Sequence, residues 1–223
     1  MPSKTADPEL NGKTTAKVTG TSAKAEEPTT TLVKVEIPGI NRQAINITLV
    51  GDSPLIMHKW SEKAKKAMLD KQMKKASQGK VAKDPKADFE GSIYYREDGS
   101  YGFPATGVKD SAVSSCRYID GMEKKMTFTK GAFHINEELV KIEGTPEPRE
   151  DMVRIAMGTA DIRYRAEFKE WKTTFTVVYN ANVISEEQIV NLFNIGGFAV
   201  GVGEWRPAKG GSFGRYHVEL GIS

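Results

Sequence analysis

The chain has 223 residues, 39% hydrophobic and 27% charged, with a formal net charge of only +3. This length suits one domain with a real core plus a tail, and the small charge excludes a histone-like polycation, so affinity for a polyanion must come from local patches. The lone Cys116 excludes an intrachain disulfide or a cysteine zinc cluster. No run approaches the ~18 apolar residues of a membrane span or the apolar core of a secretory signal, so the expected setting is the cytoplasm, with no membrane contact.

Residues 1–31 are rich in Thr, Lys, Ala, Glu and Pro and nearly devoid of large apolar side chains. They cannot bury enough surface to offset ordering entropy, which predicts a disordered N-terminal tail ahead of a single domain over 32–223. Leu32, Val33, Val35 and Ile37 predict a short strand. Ile45, Ile47 and Leu49, continued by Leu55 and Ile56 after Gly51-Asp52-Ser53-Pro54, predict the first long strand of the main sheet. Between Lys59 and Lys83 there is a local excess of seven positive charges, and 61–77 has the composition of a helix with a weak apolar face. This lysine-rich helical insertion, about 59–83, is either a solvated surface or a nucleic-acid contact through Lys63, Lys65, Lys66, Lys71, Lys74 and Lys75.

Glu97-Asp98-Gly99-Ser100 between aromatic strands is a hairpin signature. A helix then carries Val108, Ala112, Val113, Cys116 and Ile119, with Thr106 as its expected N-cap and Lys109 in its first turn. Strands are expected at 133–135, 139–142, 152–156, 162–168 and 174–179. Ser185 and Gln188 form a capping-box pattern for a helix that Gly196-Gly197 is expected to stop. A final strand is expected over 215–220.

Between that helix and that strand lies a segment in which Gly201, Gly203, Gly210, Gly211 and Gly214 are interleaved with Trp205, Arg206, Lys209, Phe213, Arg215 and Tyr216. Glycine permits positive φ and close backbone approach, leaving peptide N–H groups for a polyanion. Arginine and lysine contact phosphates, and exposed aromatics stack on bases. Hairpin loops need only about 2–5 residues, so the length of this one points to a role beyond turning.

The closing unit, with Gly201-Val202-Gly203-Glu204-Trp205-Arg206-Pro207 and Gly210-Gly211-Ser212-Phe213-Gly214-Arg215, resembles the C-terminal glycine-rich element of the repeat-associated mysterious protein (RAMP) superfamily, which includes backbone subunits of CRISPR effector complexes. Phe103-Pro104-Ala105-Thr106-Gly107-Val108-Lys109 is similar to that superfamily's strand, proline, small residues, lysine and helix element. The resemblance implies an α+β, ferredoxin-like (RNA-recognition-motif-like) core with an antiparallel sheet, helices on one face, and insertions. It also implies single-stranded RNA or DNA as partner and homo-oligomeric assembly along the strand; uncharacterised phage proteins carry similar sequences.

Of the three histidines, His134 and His217 fall in predicted strands. His58, beside Lys59, is the sole weak candidate for a general base. No metal or phosphate-loop motif is present, so no cofactor and no metal is expected and a binding role is favoured over an enzymatic one. The alternatives are a metal-independent endoribonuclease using His58, and a phage interaction or anti-defence protein that engages a host complex or a small nucleotide.

Overall fold

Ile45, Ile47 and Leu49 alternate with polar residues, as a strand buried on one face requires, and the main sheet grows from them. The computed structural model describes residues 36–75, 82–122, 125–154 and 160–219. The tail over 1–31 and the strand expected at 32–35 lie outside the described residues; Ile37 belongs to no strand and is exposed. Gly39–Ser223 forms one unit.

In chain order the elements are β1 (Arg42–Gly51), β2 (Leu55–Met57), α1 (Glu62–Gln72), α2 (Pro85–Gly91), β3 (Tyr94–Tyr95), β4 (Tyr101–Pro104), α3 (Ala105–Ser114), α4 (Met126–Ala132), β5 (Phe133–Ile135), β6 (Leu139–Lys141), β7 (Pro146–Arg154), β8 (Ala160–Phe168), β9 (Lys172–Asn180), α5 (Glu186–Ala199) and β10 (Tyr216–Val218). Short 3-10 turns occupy Ser115–Tyr118 and Pro207–Lys209.

The main sheet has the order β10-β1-β9-β5, with every neighbouring pair antiparallel. Its strands and the helices α3 and α5 follow one another as β1, α3, β5, β9, α5, β10, which is a ferredoxin-like βαββαβ core. Ile47, Leu49, Phe133, Phe175 and Val177 share one apolar core with Val108 and Ala112 of α3 and Ile189, Leu192 and Phe193 of α5. Phe193 sits 5.9 Å from the ring of Phe133 and 5.7 Å from that of Phe175. The opposite face is polar, with the Thr48 and Thr174 hydroxyls 2.9 Å apart and Thr176 donating to Asn46. Two insertions build smaller sheets, β2-β8-β7 and β3-β4-β6.

Four local expectations are corrected. β2 does not continue β1: Gly51 and Asp52 donate to Trp171 and Arg215, Pro54 has no N–H to extend the ladder, and β2 pairs with β8 instead. The lysine-rich helix ends at Gln72, before a turn in which Lys74 takes φ 54°. Pro104, not Thr106, is the N-cap of α3, because the chain passes straight from β4 into the helix; no side chain caps it. Gly196 and Gly197 do not stop α5, which runs to Ala199 behind the expected Ser185–Gln188 capping box.

Those two glycines are there for closeness. A Cβ at Gly196 would lie 2.7 Å from the Ser111 carbonyl oxygen, and one at Gly197 only 1.9 Å from that of Tyr216. Gly197→Ala is therefore expected to lower stability by about 1–3 kcal/mol through overpacking, despite the ~1 kcal/mol alanine gains over glycine in a helix interior. The check is the urea midpoint; an unchanged midpoint overturns this packing role.

Candidate nucleic-acid interface

The glycine-rich segment folds against β2, and its own hydrogen bonds hold it there. Glu204 N–H donates to Ile56 and Gly214 N–H to Pro54, while Val202 N–H donates to Gly214 and Phe213 N–H to Trp205. Gly201, Gly203, Gly210 and Gly214 all take positive φ. A Cβ at Gly214 or Gly211 would come within 1.8 Å and 1.7 Å of the Val202 and Trp205 carbonyl oxygens. The N–H groups expected to face a polyanion are largely committed inside the protein: those of Gly201, Gly210, Gly211 and Gly214 donate to Gly196, Pro207, Arg206 and Pro54.

The loop nonetheless forms one wall of a cleft of about 230 Å³. Val200, Gly201, Gly203, Glu204 and Arg206 line one side, Pro104, Thr106, Gly107 and Asp110 of the α3 N-terminus the other, and His58 closes the end. The N–H groups of Thr106 and Gly107 have no partner among the described residues, since the first turn lacks a cap. They add the positive end of the helix dipole to the cleft. Arg206 donates from Nη1 to the Gly203 carbonyl at 3.0 Å, which fixes its guanidinium at the rim.

His58 has a partner that sequence spacing did not show. Its Nδ1 lies 3.5 Å from Glu204 Oε1, because the Glu204–Ile56 backbone bond brings residue 204 alongside the end of β2. The hydrogen bond from His58 is the main reason the Glu204 carboxyl is held below its ordinary value, against partial burial that would raise it; the charges of Arg165 and Arg163 assist.

Trp205 stands between two lining residues. It is 42% exposed and takes φ 54°, a left-handed conformation that a bulky residue rarely adopts. Strain of this kind, costing of order 1–3 kcal/mol, persists where the surroundings enforce it, and here they hold an indole at the surface.

The other expected residues separate. Tyr216 is 1% exposed, its hydroxyl bonded to Ser111 and its pKa raised by burial, so it cannot stack on a base. Lys109 lies one residue, about 100°, round the helix from Asp110. Its ammonium donates to the Lys130 carbonyl at 2.8 Å and sits 5.5 Å from the centre of the Phe133 ring, away from the cleft. Burial lowers its pKa. Phe213 is half-buried, with the Arg149 guanidinium 4.7 Å over its ring. Arg215 donates to Ser212 within the loop, and Lys209 and Gly210 are exposed. Lys66 and Lys74 are exposed on and just after α1; Lys63 falls in α1, and its side chain lies outside the described residues. A second depression, lined by Lys59, Lys83 and Arg163 together with Asp84, Asp88 and Asp161, shares His58 with the cleft and reaches Ser61 at the start of α1; Lys83 and Arg163 both pair with Asp161.

No family model and no curated protein matches the chain. Solved structures do. A cryo-EM structure of the type III-B Cmr-beta bound to cognate target RNA aligns over 80% of this chain and 59% of its own, at 10% identity and a TM-score of 0.49. Thus the chain spans under two thirds of that relative. The crystal structure of Cmr6 from Pyrococcus furiosus aligns over 81% of this chain and all of its own, at 9% identity and a TM-score of 0.38. At TM-scores below 0.5 the likeness carries no function with it; the fold class stands on this chain's own strand order. Among the described residues, no helix is long and apolar enough to cross a membrane.

Because the Glu204 pKa is lowered in the folded state, its carboxylate stabilises the fold above the ordinary value of 4.5 and loses that contribution as pH falls through the lowered one. The stability difference between the native protein and Glu204→Gln should therefore shrink from about pH 5.5 to about pH 3. Urea midpoints at the two pH values measure it, and a difference independent of pH overturns the pairing.

Proposed function

We propose that this protein binds single-stranded nucleic acid, RNA or DNA, along the cleft between the α3 N-terminus and the glycine-rich loop. The observation that carries this reading is Trp205, a strained, solvent-facing indole flanked by Glu204 and Arg206 of the cleft. Bases have π-faces on which such a ring stacks, while Arg206 and the free N–H groups of Thr106 and Gly107 suit phosphate oxygens. Beyond His58 the strand would meet Lys59 and then Lys66 in the first half of α1, which makes binding salt-dependent. Copies arrayed along the strand complete the proposal.

Retention of labelled poly(U) and oligo(dT) on filters tests it. Trp205→Ala should weaken binding by about 1–3 kcal/mol, roughly 5- to 150-fold. Arg206→Gln should reduce the slope of affinity against salt by about one. Absence of retention of either polymer at low salt, with the protein folded, overturns the proposal.

One observation favours a second reading, a metal-independent ribonuclease: His58, Glu204 and Asp110 share the cleft wall. Incubation with labelled RNA in EDTA separates the two. The binding reading expects intact RNA; cleavage that disappears in His58→Ala would replace it with the enzymatic one.

A further inference from the structure

Helix α1 is 11 residues long, and its described residues are exposed except Asp70, which is partly buried. Met68 and Leu69 in its second half and Met73 just past its end are 47%, 54% and 57% exposed. An isolated helix of this length is marginal in water, since most helical stability in proteins comes from packing an apolar face. Methionine-rich faces are adaptable binding surfaces. α1 therefore has the composition of a helix completed by a partner. Its ends are basic: Lys65 and Lys75 pair with Glu62 and Asp70, whereas Lys66, Lys71 and Lys74 have no ion-pair partner among the described residues.

The same chain carries a matching groove elsewhere. Between the turn after α3, helix α4 and the start of α5, a depression of about 300 Å³ is lined by Ile119, Met122, Phe128, Val183, Ile184 and Leu192. Phe128 is 60% and Val183 37% exposed. Acidic residues flank it in sequence: Asp120 follows Ile119, and the exposed Glu186 and Glu187 open α5 between Ile184 and Gln188. Among the described residues, Lys125 is the one cation on its wall. The groove shares no residue with the cleft or with the depression leading to α1.

We infer that the end of α1 of one copy docks Met68, Leu69 and the following Met73 into the Ile119–Phe128–Leu192 groove of a second copy, with Lys71 and Lys74 meeting Asp120, Glu186 and Glu187 and the helix start left to the strand. The surfaces differ, so the contact is heterologous, and it propagates into a ring or an open filament. The inference extends the assembly half of the proposed function and is tested without nucleic acid, so that its failure leaves strand binding standing.

The test uses the full chain, freed of nucleic acid by nuclease, in sedimentation across a concentration series. The native protein should self-associate, and association should weaken about tenfold or more both in Met68→Glu/Leu69→Glu/Met73→Glu and in Phe128→Glu. Each variant retains one intact surface, so an equimolar mixture should give a pair and nothing larger. Between otherwise native chains, Met73→Cys should form a disulfide with Phe128→Cys under mild oxidation but not with itself; Cys116 is buried and silent. A native protein that stays monomeric throughout, variants that associate like it, or Met73→Cys linking to itself would each overturn the inference.

Discussion

The closing quarter of the molecule depends on the absence of side chains at a few contacts between backbones. α5 can rest on β10 only because residue 197 has no Cβ, and the loop can fold back on itself only because residues 211 and 214 have none. From that close approach follow the loop's anchorage on β2, the place of Glu204 beside His58, and the strained backbone that puts Trp205 at the surface. The glycines serve first as permission for crowding. The cleft is a by-product of that crowding, since its loop wall is held by hydrogen bonds that no ligand has to supply.

Much of the core was legible in residue patterns. Alternation in β1 and β9, the hairpin at Asp98-Gly99 and the Ser185–Gln188 box all read as they fold, because each is a local signal with a local cause. The sheet switch after β1 was less visible: Pro54 marks a break, but which sheet receives β2 is decided by β8, more than a hundred residues later. Gly196-Gly197 misled for a similar reason. Glycine in a helix reads as a stop when only the local chain is considered, and its use here lies in the distant Ser111 and Tyr216 backbones.

The candidate cleft could be anticipated in the sequence as a region and not as a set of side chains. Trp205, Arg206 and His58 converge at the cleft or its rim, whereas Tyr216 fills the core and Lys109 serves the junction of α3 with α4. An alternating strand gives no sequence mark for which of its aromatics face inward until register is known. The Glu204–His58 pair was hidden because it joins residues far apart in the chain through a backbone bond.

The uncapped start of α3 has one more implication. Much of the attraction this cleft offers an anion comes from peptide dipoles and free amide protons of Thr106 and Gly107. Such groups do not titrate in the physiological range and are not targets of lysine acetylation. Charge-neutralising chemistry on the lysines of α1 would loosen the outer part of the surface while the grip at the helix start persisted. On the proposed reading, the hold on a polyanion divides into a fixed portion written in backbone and an adjustable portion written in side chains.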